Sequence, residues 1–441
     1  GLVSFINFRY MNDKKQSGWV DSDPARDRGA TTRWGSEITT QRLDLATKVG
    51  YVFKDKPFQS IGFQNAFSLH DQNSYYGLNG YDIRQNSFYS NLIFNSIINN
   101  TKHKFATGIN FAYDNYQEFV GLKDYGRVDN SVGAFFEYTY DNDDDFSLVL
   151  GGRVDNHNRL GTFVTPRLHL RYNPGEKAVI RFSAGRGKRA ANIFAENQSL
   201  FASSRTFSIL DTDGKIYGLN PEIAWNYGLS FNQKFQLFGR NGDAGFDLYR
   251  TDFQNQAVVD VMQSPQQVLF YNLKGKSYAT SLQIEFNYEL ANRFSLRSAY
   301  KYYDIQTQYL SGVYQRPLQA KHRFFGNLEY ETGRSESGSQ WRFDATYNWL
   351  GKQQLPVTAS NPAQDRLPEF SPSYNLINAQ VTHVFSSNFE IYVGGENIGN
   401  YKQSKAILGA ETPFGPTFDA SIVYAPIFGQ MYYAGLRFKI K

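Results

Sequence analysis

Along most of the chain apolar and polar residues take turns. Leu282, Ile284, Phe286, Tyr288 and Leu290 alternate with Gln283, Glu285, Asn287 and Glu289. Trp225, Tyr227, Leu229 and Phe231 alternate with Asn226, Ser230 and Asn232, and Trp341, Phe343, Ala345, Tyr347 and Trp349 with Arg342, Asp344, Thr346 and Asn348. Phe389, Ile391 and Val393 lie opposite Glu390 and Tyr392. A period of two places one set of side chains on each face of a strand, so each segment predicts a strand with one greasy and one wet face. The pattern predicts about 18 such strands, at 2–11, 40–54, 58–71, 84–98, 103–116, 129–141, 146–157, 163–173, 177–189, 222–237, 244–261, 267–290, 294–309, 317–332, 340–354, 373–385, 389–401 and 429–440.

The connections alternate in length. Short ones include Asp55-Lys56-Pro57, Asn99-Asn100-Thr101, Asp141 to Asp145, Asn173-Pro174-Gly175, Ala291-Asn292 and Ser386-Ser387-Asn388. Between them lie long polar stretches bearing aromatics, Gly and Pro, notably 12–39, 190–221, 355–372 and 402–428. Short turns at one end and long loops at the other is the layout of outer-membrane β-barrels, whose turns are periplasmic. A soluble β-sandwich also alternates, but its strands usually run about 5–6 residues. Those here often run about 11–16, near or beyond the roughly 9–11 that cross a bilayer at a tilt. The first strand leads into a long loop and so runs outward; the last follows a long loop and returns to the periplasm. The sequence thus reads as an all-β chain, a transmembrane antiparallel β-barrel of the bacterial outer membrane over residues 1–441.

Composition sharpens this reading. Aromatic residues make up 17% of the 441, with 37 Phe and 31 Tyr, and 37 Gly accompany 14 Pro, which favours strands and turns. Mean hydropathy is −0.52, and no apolar run is long enough to cross a bilayer as a helix. There is no cysteine, which excludes disulfide scaffolds, thiolate metal sites and cysteine nucleophiles. The formal charge of +5 is spread without a block of like charges, so nothing points to nucleic acid.

Three separated stretches then bring a family into view. Ile391-Tyr392-Val393-Gly394-Gly395-Glu396-Asn397-Ile398-Gly399-Asn400-Tyr401, Pro413-Phe414-Gly415-Pro416 and Tyr433-Ala434-Gly435-Leu436-Arg437-Phe438 resemble the C-terminal third of TonB-dependent outer-membrane receptors, especially those of the Bacteroidota type. Mid-chain, Thr165-Pro166-Arg167, Gly185-Arg186-Gly187 and Ala195-Glu196-Asn197 are similar to the same family. The resemblance implies a barrel of about 22 strands around an N-terminal plug, with a TonB-binding segment ahead of it. With 18 strands here, the chain would be the C-terminal portion of the barrel, and the plug and first four strands would come from outside it. The implied partners are that plug, the missing N-terminal strands, the TonB complex acting through the absent N-terminal region, outer-membrane lipid and lipopolysaccharide, and a surface lipoprotein.

Local motifs offer less chemistry. Gly185-Arg186-Gly187-Lys188-Arg189-Ala190 matches a dinucleotide-binding spacing, but no crossover helix and no acidic residue about 20 positions on accompany it. Arg186, Lys188 and Arg189 read instead as lumen-side or loop cations, either ion-paired within the wall or meeting an anionic ligand or a plug carboxylate. Asp141, Asp143 and Asp145 lack the glycine and distal glutamate of a calcium loop. The six histidines are scattered without a close ligand pair, and no catalytic constellation is readable at local spacing. The expectation is no enzyme, no cofactor and no metal site. The long loops combine aromatics and cations: Arg33-Trp34, Tyr75-Tyr76, and Phe194, Phe201 and Arg205. Exposed together, they suit capture of a planar or anionic ligand, and equally suit loops that pack on one another or meet lipopolysaccharide at the headgroup girdle. The candidate ligand-binding residues are therefore Trp34, Tyr75, Tyr76, Arg186, Lys188, Arg189, Phe194 and Arg205. The implied activity is TonB-energised import of a scarce ligand, with ferric siderophores ranked ahead of other metal complexes, haem or cobalamin, and then peptide or glycan. A passive 18-strand porin and a structural barrel docking other proteins are the rivals.

Overall fold

The computed structural model describes residues 1–440 and bears out the all-β reading. One antiparallel sheet of 20 strands contains nearly every predicted segment. Two of these, Lys123–Asp124 and Gly312–Gln315, are short additions beside the tops of longer strands, which leaves 18 long ones. They run as a continuous up-and-down meander from Leu2–Gly18 to Met431–Phe438. Among the described residues no helix is long and apolar enough to cross a membrane. Each edge strand pairs on one side only: Leu2–Gly18 with Gly35–Phe53, and Met431–Phe438 with Phe389–Glu396.

Register shows why the alternation matters. Phe182, Leu229, Leu248, Leu282 and Tyr302 lie opposite one another across five strands. One residue away, Arg181, Ser230, Asp247, Gln283, Lys301 and Arg323 form the next row. Successive side chains leave a strand on opposite faces, so the first row looks out at lipid and the second lines the lumen. Leu229, Ile284, Val393 and Leu436, exposed large apolar side chains of the wall strands, sit on the outward face. In a bilayer that exposure satisfies the strand, because hydrocarbon replaces water against it.

Periplasmic hairpins close on residues with left-handed backbone. Asn99 (φ 63°), Asp143 (φ 65°) and Arg293 (φ 64°) each reverse the chain, and Phe238-Gly239 places two such residues in succession (φ 49° and 75°). A short asparagine or aspartate accepts this conformation at little cost, whereas Arg293 and Phe238 are held there by the strands they join.

Two predicted elements differ from those observed. The strands expected at 244–261 and 267–290 stop short: the wall strands are Arg240–Asn255 and Ser277–Ala291. Ala257–Asp260 and Gln267–Asn272 instead pair with each other and with Thr206–Ile209 in a separate three-stranded sheet. The reason lies in the residues. Val268, Leu269, Phe270 and Tyr271 are apolar in succession and all four are buried, so they suit a strand covered on both faces, not one dividing lipid from water. Several strands also outrun their predicted outer ends, as in Leu2–Gly18 against 2–11 and Lys56–Tyr76 against 58–71. Their polar outer residues, Lys14, Lys15 and Gln16 for example, continue the ladder above the hydrocarbon, where alternation no longer marks the strand.

Candidate functional site at the extracellular mouth

The largest buried apolar cluster lies at the extracellular end of the barrel. Tyr76, Tyr81, Ile83 and Tyr116, on the lumen-facing side of the strands ending at the outer rim, meet Ile193, Phe194, Phe201 and Leu219 from the 190–221 loop. Val268 and Phe270 from the small sheet and Phe418 from the last loop complete it. Three loops thus fold into the mouth and pack on the inner wall. Aromatic contacts hold them: Phe194 lies 4.8 Å from Tyr125 and 5.6 Å from both Tyr217 and Phe270 by ring centroid, and Phe201 stacks on Tyr76 at 5.9 Å. A side chain of this size, only 1% exposed, contributes about 3–5 kcal/mol by burial and packing.

A polar network runs through this apolar mass. Glu118, fully buried, accepts from the Tyr81 hydroxyl (3.0 Å), the Tyr217 hydroxyl and Arg127 Nη1 (3.2 Å). Arg127 also pairs with Asp129 (3.0 Å), donates to Tyr217 (2.7 Å) and Asn192, and lies 3.9 Å from the Tyr116 ring centroid. Burial, with the Glu118 charge beside it, pushes the Tyr217 hydroxyl far above the usual phenol range, so it stays protonated as a donor. Both ends of the 190–221 loop are thereby tied, through Asn192 and Tyr217, to one carboxylate and one guanidinium on the barrel wall. In its middle, Arg205 pairs with Asp419 (2.9 Å), both nearly inaccessible, and donates to the Ser264 and Gln267 carbonyls (3.0 and 3.3 Å). That single guanidinium joins the 190–221 loop, the small sheet and the last loop.

The predicted candidates separate into two groups. Trp34, Tyr76 and Phe194 come together in the loop cluster, with Tyr75 and Arg205 buried nearby. The expectation that these aromatics and Arg205 are exposed is overturned, because the loops close on one another. Trp34 packs on Phe418 at 5.0 Å and against the turn at Gly77, whose positive φ of 60° leaves room for the indole: a β-carbon there would be 2.6 Å from Trp34 Nε1. Arg28 covers the Tyr75 ring at 5.3 Å.

The 185–190 cations lie elsewhere. Arg189 pairs with Glu196 (2.8 Å) and Glu222 (2.7 Å) at the base of the 190–221 loop. Lys188 donates to the Leu160 carbonyl (2.9 Å). Arg186 is not lumen-side: it follows Phe182 and Ala184 on the outward face and lies opposite Trp225 in register. Glu118, Arg127, Tyr217 and Asp419 went unread in the sequence. Each is one polar residue in an alternating or loop segment, and its partners arrive from far along the chain.

The fold has known counterparts. Residues 3–398 match the family model described as "TonB dependent receptor-like, beta-barrel". A search of curated protein sequences found no match. Among solved structures, a mutant ferric enterobactin receptor from Pseudomonas aeruginosa, in complex with enterobactin, is similar over 98% of this chain and 70% of its own (TM-score 0.66, 12% identity). The siderophore receptor PiuA from Acinetobacter baumannii is similar over 99% and 72% (TM-score 0.64, 13% identity). The ferric-catecholate import receptor Fiu from Escherichia coli K12 is similar over 98% and 72% (TM-score 0.62, 11% identity). The chain spans 63% of the length of another similar structure, the FpvAI–pyocin S2 complex. With the periodic wall, the periplasmic turns and the loop-filled mouth, these matches place the chain in the bacterial outer membrane: it belongs to the TonB-dependent receptors, a family of transporters and not of enzymes.

Proposed function

We propose that this barrel imports a scarce ligand, a ferric siderophore before any other class, with energy supplied through TonB. One observation carries the reading: the mouth is filled by loops that bury an aromatic core and charged pairs against the inner wall. A passive porin needs a standing aqueous path, whereas this arrangement suits a receptor whose loops must rearrange around a ligand. The siderophore class is taken from what the similar structures bind, and Trp34, Tyr75, Tyr76, Phe194 and Arg205 are the residues that such a rearrangement would uncover. In this reading Arg189, paired with Glu196 at the loop base, and Lys188, bonded to the Leu160 carbonyl on the rim, would exchange these partners for an anionic ligand on entry.

The open edges bear on the second half of the proposal. Unpaired backbone groups in hydrocarbon cost several kcal/mol each, so the outer sides of Leu2–Gly18 and Met431–Phe438 call for further strands. In this reading the first four strands of a 22-strand barrel fill the gap, and a plug occupies the polar lumen. A surface lipoprotein over the loops is a further partner in the same proposal.

Uptake of radio-iron-loaded enterobactin by cells that carry or lack TonB tests the mechanism. Saturable uptake abolished without TonB supports it. Unsaturable uptake indifferent to TonB indicates a porin, and stable co-purified partners with no uptake indicate a docking barrel. Oxidative cross-linking of an Ile6→Cys, Leu436→Cys pair tests the gap: a bond between these edge strands means the 18 strands close on themselves.

A further inference from the structure

The seat around Glu118 and Arg127 is built in two layers, and the wall supplies the first. Glu118 lies near the outer end of Asn100–Val120 and Arg127 opens Arg127–Asp141, the next wall strand. Arg127 Nη1 stands 3.2 Å from the Glu118 carboxylate, and each residue has a further partner on the wall. Asp129 takes Arg127 Nε at 3.0 Å, and the Tyr81 hydroxyl donates to Glu118 Oε1 at 3.0 Å. The guanidinium also faces the Tyr116 ring at 3.9 Å. Neighbouring strands therefore hold both charges in place by themselves.

The 190–221 loop adds the second layer with two side chains. Tyr217 accepts from Arg127 Nη1 at 2.7 Å and donates to Glu118 Oε2, while Asn192 Oδ1 accepts from Nη2. The guanidinium carbon lies 4.8 Å from the Tyr217 ring centroid. A tight turn carries Tyr217, closed by the Leu219 N–H on the Ile216 carbonyl at 2.8 Å, and its backbone is left-handed (φ 55°). That conformation is strained for a tyrosine, so the loop keeps its hydroxyl in the seat against a conformational cost.

The seat's chemistry defines what else fits it. Glu118 calls for a proton donor, and Nη1 beside it calls for an acceptor. A hydroxyl serves both, whereas a carboxylate or a metal-bound oxygen has no proton for Glu118 and an ammonium has no lone pair for Nη1. Nη2 calls for a second acceptor alongside, which an amide oxygen now provides. Tyr116 and Tyr125 on the wall side favour a flat ring.

We propose that Tyr217 and Asn192 are the loop's own stand-ins for a ligand group, an aryl hydroxyl with a neighbouring carbonyl, and that this group replaces them on Glu118 and Arg127. On the reading that the mouth loops rearrange around a ligand, this exchange is the step that frees the 190–221 loop. The contact selects a protonated hydroxyl, so it recognises a free part of the ligand and not oxygens committed to a metal.

Binding of 2-hydroxybenzamide and 2-methoxybenzamide to the full-length receptor in mild detergent, by saturation-transfer NMR against empty micelles, tests this. Hydrogen exchange reports the loop. Expected is at least about tenfold tighter binding of the hydroxyl compound, with faster exchange across 190–221 at saturation. Tyr217→Ala vacates the seat and should tighten 2-hydroxybenzamide by about another tenfold, because the loop's phenol no longer competes. Barrel folding is checked by mobility of unboiled samples on a gel. Should Tyr217→Ala unseat the whole dome, Asn192→Ala, which frees Nη2 alone, should tighten both amides about threefold. Equal binding of the two amides, or vacated variants that bind 2-hydroxybenzamide no tighter than wild type, overturns the proposal. Discrimination between the amides without TonB-dependent uptake keeps the seat and removes the import reading, and uptake with equal binding of the amides does the reverse.

Discussion

The barrel wall and the loop dome use the same residue types in opposite ways. On the wall, Leu229 looks outward while Ser230 beside it lies between Arg181 and Asp247 on the lumen face, so apolar outside and polar inside is the stable order. In the dome, Phe194, Phe201 and Phe270 are inside, and charges are buried only when paired, as in Arg205 with Asp419. The wall answers to hydrocarbon and the dome to water. The boundary runs through single strands: Asn100–Val120 carries Ile109 and Phe111 among the exposed apolar residues, and Glu118 and Tyr116 in the buried core.

The dome is the place where one change should cost most. Arg205→Ala leaves Asp419 charged and buried, a loss of about 3–5 kcal/mol. Hydrogen exchange should then show the 190–221 and 402–428 loops unprotected while the wall keeps its protection. The double change Arg205→Met, Asp419→Leu removes both charges and should restore most of that protection. If Arg205→Ala leaves the loops as protected as wild type, they are not held by this pair.

The wall responds to position in place of partnership. Leu229→Arg puts a charge against hydrocarbon and should cost about 2–4 kcal/mol, whereas Ser230→Arg, one residue on, enters the hydrated lumen beside Asp247 and should stay within about 0.5 kcal/mol. Urea unfolding in phospholipid vesicles measures both. Equal costs at the two positions would mean that inside and outside are wrongly assigned.

These contrasts also explain what could be read from the residues alone. Alternation is a local property, so Leu282 to Leu290 declared their strand and its two faces without knowledge of any partner. The dome is non-local: Arg205 and Asp419 stand 214 positions apart, and Tyr217 reaches Glu118 across 99. Trp34 and Phe194 could be recognised as loop aromatics, but nothing near them in the chain says whether they meet a ligand, lipid or each other. The consecutive apolar run at Val268–Tyr271 was misleading for the opposite reason: it resembles the wall in composition and departs from it only in period.

Acid should loosen the dome's margin before the wall. In the first loop, hydrogen bonds from Arg26, from the Asp23 backbone N–H and from Thr32 hold the Asp27 carboxyl well below the usual carboxylate range. A folded-state pKa below the unfolded value means the stabilisation is complete above about pH 4 and fades as pH falls toward the folded value. Exchange across residues 19–34, corrected for its intrinsic pH dependence, should therefore be flat from pH 7 to about 4.5 and rise in stronger acid. Asp27→Asn should exchange faster at neutral pH and lose most of the acid response.

The smallest effect is expected where two ion pairs lie open to water. Arg189 contacts two carboxylates, Glu196 and Glu222, yet its side chain is 57% exposed, against 1% for Arg205 with a single carboxylate. Water and salt already stabilise the separated charges of an exposed pair, so Arg189→Ala should cost less than about 1 kcal/mol and less still in high salt. Arg205→Ala should be nearly indifferent to salt, since ions cannot reach the buried pair. Comparing loop protection in the two variants at low and high ionic strength separates burial from pair number as the source of dome stability. A loss at Arg189 as large as that at Arg205 would mean that the base of the 190–221 loop, and not its buried middle, holds the mouth closed.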